Sequence, residues 1–218
     1  MKVVFCHGLE GSSKAGYVRG LARELRARGL GAVALNFRSC SGEPNRLPRF
    51  YHSGDTGDLA FVIERLRAEQ PGRVLGLAGF SLGGNVVAKY LGERGDAVPP
   101  EVRAGAVVSV PFDLALCARN LDGPDLMARV YRERFLRRLR AKVLLKSRRF
   151  PTLPTAAAQR ARTFREFDEA VTAPPRSPRY LATTLPPSEK PHSPSARPGR
   201  SARNLSTTKA RSPVSPEW

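Results

Sequence analysis

The residues best suited to chemistry lie in Gly79-Phe80-Ser81-Leu82-Gly83, a G-x-S-x-G directly after the apolar run Val74 to Ala78 and directly before a helical pattern. A sharp strand-to-helix turn lifts its central serine into the open, and the flanking glycines leave room for the neighbouring backbone. Ser81 is therefore the candidate nucleophile. At a helix N-terminus, free backbone N–H groups and the positive end of the helix dipole face any oxyanion that forms on an attacked carbonyl. A second loop, His7-Gly8-Leu9-Glu10-Gly11-Ser12-Ser13, follows the first apolar run at the place where a serine hydrolase sets its other oxyanion donor. The expected oxyanion pair is the Leu9 and Leu82 N–H groups.

A serine nucleophile needs a base and a group to orient that base, and neither is identifiable. The chain has three histidines, His7, His52 and His192. His7 ends a strand in a His-Gly turn and is expected to order the loop. His52, in Tyr51-His52-Ser53-Gly54 ahead of a helix opened by Asp55 and Thr56, fits a loop or capping role. His192 lies in a proline-rich stretch that supplies neither a fixed position nor a carboxylate held to orient it, and no Asp follows Asp168. Cys6, Cys40 and Cys117 are widely spaced, so they suggest neither a disulfide framework nor a metal site. Cys6 and Cys117 read as packed thiols and Cys40 lies in a Ser-Cys-Ser-Gly turn without a nearby base partner, all in a reducing, cytoplasmic compartment. No metal site is expected from these spacings.

Short apolar runs alternate with amphipathic segments from residue 1 to about 110, the pattern of βαβ units on a parallel sheet. Strands are expected over Val3 to Cys6, Gly31 to Asn36, Val74 to Ala78 and Ala104 to Val110. Helices are expected over Tyr17 to Arg28, closed by Gly29, over Asp55 to Glu69, and over Ser81 to Gly92. From Asp113 to Arg149 helices follow one another without strands, which predicts an inserted helical cap. Helical character continues over residues 156–171. After Ala173, Pro and Ser dominate and few large apolar side chains remain, so residues 174–218 are expected to be disordered.

The net charge of +18 is local. Residues 1–128 hold 16 basic and 13 acidic groups, whereas residues 129–149 hold 10 and 1. A generally nucleic-acid-binding surface is therefore not implied. Arg129 to Arg149 reads as a solvated helix face, with weak contact to anionic lipid surfaces as its alternative role. The apolar runs are far shorter than the ~20 residues that span a bilayer.

The motifs His7 to Ser13, Asn36-Phe37-Arg38-Ser39-Cys40-Ser41-Gly42-Glu43-Pro44-Asn45-Arg46 with Tyr51 to Thr56, and Gly79 to Asn85 resemble, in order and spacing, the YheT-like α/β-hydrolases. Ser109 to Leu114 and Arg165 to Asp168 extend the likeness over residues 2 to about 173. The resemblance implies a partial α/β-hydrolase core over 1–173 with flanking helices, and a helical lid at about 113–149 over an acyl pocket. It also implies a cofactor-free carboxylic ester hydrolase of short-chain carboxylesterase or acylglycerol lipase type. Its substrate would be a small ester or lipid-like molecule. Relatives of this kind begin earlier and end with two further strands bearing the triad Asp and His. Residues from about 174 onward are accordingly expected to be an out-of-frame or foreign tail, and this chain an impaired enzyme. A catalytically inactive remnant acting as a binding module is the alternative.

Overall fold

Lys2–Cys6 (β1) continues after its first residue as the apolar run Val3-Val4-Phe5-Cys6, all four buried. Such a run suits a strand covered on both faces of a parallel sheet. The computed structural model describes residues 1–172, which lie within one compact unit. The expected disordered tail, its proposed frame change and His192 lie outside the described residues.

β1 is followed by α1 (Gly16–Ala27), β2 (Gly31–Leu35), α2 (Gly57–Glu69), β3 (Leu75–Phe80), α3 (Leu82–Arg94) and β4 (Val102–Val108). Four more helices follow: α4 (Leu114–Asp122), α5 (Leu126–Ser147), α6 (Thr155–Arg160) and α7 (Phe164–Thr172). The four strands form one parallel sheet in the order β2-β1-β3-β4. β1 is thus central, with Cys6 paired to Leu35 on one side and to Gly79 on the other. The ends of β1 and β3 coincide, which brings the loop after β1 beside the turn after β3.

Local signals terminate the elements as chain chemistry requires. Gly29, at φ 70°, closes α1, with Leu30 N–H donating to Leu25 O and Gly29 N–H to Arg26 O. Asp113 and Asp125 cap α4 and α5 by accepting from the Leu116 and Ala128 amides at 2.8 and 2.9 Å. The expected opening of α2 by Asp55 is not observed. Asp55 instead pairs with Arg49, and Thr56 Oγ1 donates to Glu93 at 3.1 Å, so the helix begins at Gly57.

Two apolar clusters hold the fold. The first packs Val4, Cys6, Leu75 and Leu77 of the sheet against Leu59 and Ile63 of α2 and Val86, Val87 and Tyr90 of α3. The second is built by the helices after β4 and includes Leu136, Leu139, Val143, Phe164 and Phe167. Leu9 packs against both. The oxyanion-loop residue therefore sits at the seam between sheet and helices. Among the described residues no helix is long and apolar enough to cross a membrane.

Candidate active site

Ser81 occupies the turn between β3 and α3 with φ 51° and ψ −123°, a conformation rarely open to a residue with a Cβ. The turn is pinned on both sides. Ser81 N–H donates to Val108 O at 2.9 Å, and Ser81 O accepts from Gly84 N–H at 2.8 Å. The glycines around it are required by contact. A Cβ on Gly79 would lie 2.4 Å from Gly83 O, and one on Gly83 would lie 2.2 Å from Cys6 O. No side chain fits where α3 meets the ends of β1 and β3.

The loop after β1 passes directly beside this turn, for a Cβ on Gly8 would come within 3.3 Å of Ser81 Cβ. No acceptor among the described residues takes the Leu9 or Leu82 N–H. Both residues line, with Ser81, a cavity of about 340 Å³. Its far wall consists of Leu114, Cys117 and Leu121 of α4, Phe135 of α5 and Phe164 of α7. The arrangement offers a hydroxyl and two free amides at the edge of an apolar chamber, with Asn120 as a further polar lining residue. The cavity is suited to an uncharged acyl chain next to a carbonyl.

Glu10, the residue after Leu9, is held on every side by groups from elsewhere in the chain. Its N–H donates to Tyr51 Oη at 2.9 Å, and its Oε1 accepts from Tyr51 at 3.0 Å and from Lys142 Nζ at 2.8 Å. Arg138 donates to its carbonyl at 3.1 Å. Glu10 has a φ of 56°, so these contacts hold the loop in a left-handed bend that an unsupported glutamate disfavours. Helix α5 thereby both walls the cavity and holds the loop that carries Leu9. Lys142 also donates to Cys40 Sγ at 3.1 Å, and burial pushes the Cys40 and Cys6 thiols up, Cys6 to about 12. Neither is a nucleophile under ordinary conditions.

His7 and His52 do not reach the cavity. His7 is buried at the end of β1, where Nδ1–H donates to Gly8 O at 2.8 Å and Nε2 accepts the Phe37 N–H at 3.2 Å. Both ring nitrogens thus order the loops. His52 Nδ1 accepts the Gly54 N–H at 3.2 Å. Burial lowers the proton affinity of both imidazoles below the usual 6.5. Unfolding exposes them, so below pH 6.5 the unfolded chain takes up protons that the native state refuses. Stability is expected to fall as pH drops through that window, and urea midpoints measured down to about pH 5 check it. A midpoint flat across this range would contradict neutral, buried histidines. No group of three or more His, Cys, Asp or Glu converges on a metal-sized site among the described residues.

Sequence comparison agrees with the geometry. A family model described as "Alpha/beta hydrolase family" matches residues 3–210. The Escherichia coli protein YheT, whose name marks it as a proposed esterase, is 39% identical over 175 residues, covering 79% of this chain and 50% of YheT. A monoacylglycerol lipase of Saccharomyces cerevisiae is 30% identical over 179 residues, covering 79% of this chain and 39% of the lipase. The mouse phospholipase ABHD3 is 31% identical over 122 residues, covering 56% of this chain and 29% of that protein. The chain spans half or less of the length of these relatives. Parallel sheet, flanking helices, serine turn and family match together place the chain in the α/β hydrolase family, as a YheT-like member.

Proposed function

We propose that this chain carries the nucleophile and oxyanion site of a carboxylic ester hydrolase. Ser81 Oγ attacks the acyl carbon, the Leu9 and Leu82 amides hold the tetrahedral oxyanion, and the alcohol departs to leave an acyl-Ser81 that water hydrolyses. The observation that carries this reading is the left-handed Ser81 turn opening, with two unpaired amides, onto a mostly apolar cavity. Relatives named as a lipase and a phospholipase support an ester or lipid-like substrate for it.

Neither His7 nor His52 lines the cavity, so no histidine among the described residues is placed to take the Ser81 proton. We accordingly propose that turnover by the chain as it stands is impaired, by roughly 10⁴ to 10⁶ relative to a complete triad. The same observation favours a second reading, in which the cavity binds an ester or acyl ligand without cleaving it. A fluorophosphonate probe followed by peptide mapping tests the assignment. Slow labelling confined to Ser81 and lost in Ser81→Ala is expected, and labelling that persists in the variant sinks the nucleophile. Turnover of p-nitrophenyl esters at the rate of an intact relative would refute the impairment and with it the binding-only reading.

A further inference from the structure

Helix α5 turns about 100° per residue, so its 22 residues divide into two long faces. Leu136, Leu139, Val143 and Lys146 are buried and fall on one side. The opposite side carries Leu126, Met127, Val130, Tyr131, Leu144 and Leu145, all exposed, with Leu126 at 70%, Val130 at 54% and Leu144 at 51%. On the same arc Arg134, Arg137 and Arg138 lie between Tyr131 and Leu144, and Arg148 follows just past the end of the helix, all exposed. Arg134, Arg137 and Arg148 have no carboxylate partner among the described residues. Glu133, the one acid of residues 129–149, turns to the flank and pairs with Arg140 at 3.1 Å. The outward face is therefore a strip ~33 Å long in which apolar side chains flank a block of arginines and no carboxylate intervenes.

That composition narrows what can cover it. A second copy of the same face would set arginines against arginines with no acid between them. Nucleic acid would satisfy the charge but leave five apolar side chains against a polar backbone, and Tyr131 is the strip's lone ring for stacking. A bilayer surface meets both needs at once, with phosphates for the guanidinium groups and the acyl boundary for Leu, Met and Val. We propose that the outward face of α5 docks flat on membranes containing anionic phospholipid. Phe135, on the inner side of the same helix, lines the cavity, so docking places the chamber one helix thickness from the lipid.

The test reads binding and not turnover, so its outcome is independent of Ser81. The full 218-residue chain is floated with phosphatidylcholine vesicles with and without phosphatidylserine. Binding is expected only with phosphatidylserine and is expected to weaken steeply with salt. Arg134→Gln with Arg137→Gln should lower partitioning about 30-fold, the factor for two basic groups at about 1 kcal/mol each. Arg134→Lys with Arg137→Lys should restore it, since head groups read charge, and Leu126→Ser with Val130→Ser should weaken it at unchanged charge. Equal binding to neutral vesicles would overturn the proposal. So would anionic binding that the glutamine pair leaves intact, which would assign attachment to basic residues elsewhere. Self-association that the serine pair abolishes would give the face to a second copy and overturn it as well.

Discussion

Gly83→Ala is expected to destabilise the protein by about 3 kcal/mol, the upper end of the usual cost of overpacking, lowering the melting temperature by roughly 6–12 °C. The added methyl carbon would stand 2.2 Å from Cys6 O and 2.5 Å from His7 O. Both are backbone atoms at the end of the central strand. A flexible side chain could rotate away, but a strand paired on both edges cannot, so the N-terminus of α3 must move instead. That movement carries Leu82 N–H and Ser81 away from the Leu9 loop, so labelling at Ser81 is expected to slow as well. Two neighbours calibrate the result. A methyl group at Gly84 meets Val110 Cγ2 at 2.6 Å, a side-chain atom that can give, so Gly84→Ala should cost less. At Gly92, in the same helix, a Cβ meets nothing within 4 Å, and Gly92→Ala should stabilise by about 0.5–1 kcal/mol. A Gly83→Ala protein that unfolds with the parent in urea would contradict the close approach.

Lys146→Met is expected to cost about 2–3 kcal/mol although methionine nearly matches the stem in volume. Lys146 is 2% exposed, and its ammonium donates to Asn45 Oδ1 at 2.7 Å, Pro48 O at 3.0 Å and Arg49 O at 2.9 Å, over the Phe50 ring at 4.0 Å. One cation thus gathers a loop that has no regular structure of its own onto α5. Methionine keeps the apolar contact, leaves Pro48 O without a donor, and takes one of two donors from Asn45 Oδ1, which keeps Ser39 Oγ, and from Arg49 O, which keeps Asn45 Nδ2; that loss outweighs the gain from no longer burying a charge. Burial, with the positive charges of Arg38 and Lys142, pushes Lys146 down to about 8 from 10.5. Below pH 8 both folded and unfolded chains hold the proton, and the burial penalty is present in full. Between pH 8 and 10.5 the unfolded chain binds the proton more tightly, so native stability rises with pH. The gap between parent and Lys146→Met in urea is therefore expected to widen over this window. A gap that narrows would contradict the lowered proton affinity.

The sheet and the serine turn were legible because their signals are local. Buried parallel strands are short apolar runs, and a glycine-serine-glycine turn between such a run and a helix has few other uses. Where boundaries shifted, long-range pairing decided. β3 continues past Ala78 to Phe80 because Gly79 and Phe80 pair with Val107 and Val108 in register, and β4 stops at Val108 where Ser109 adopts φ 52°. The support of Glu10 was not legible, because Tyr51 and Lys142 lie 41 and 132 residues away in sequence. Lys142 and Lys146 read as part of a charged face, yet Lys146 continues the helical spacing of Leu136, Leu139 and Val143. A basic residue in line with a buried stripe was the available sign that this charge faces inward.

The position of β1 has a consequence for how the molecule is made. β1 needs neighbours on both edges, and one of them, β3, begins only at Leu75. Until β3 emerges, a nascent chain with β1, α1 and β2 presents a row of unpaired amides and carbonyls along an apolar strand. Parallel pairing across so long a loop is slow, and an open edge recruits other chains as readily as its own. The yield of folded protein is thus governed by a race during synthesis, which slower translation, lower temperature or a chaperone covering the nascent strand can tilt without any change in the finished fold.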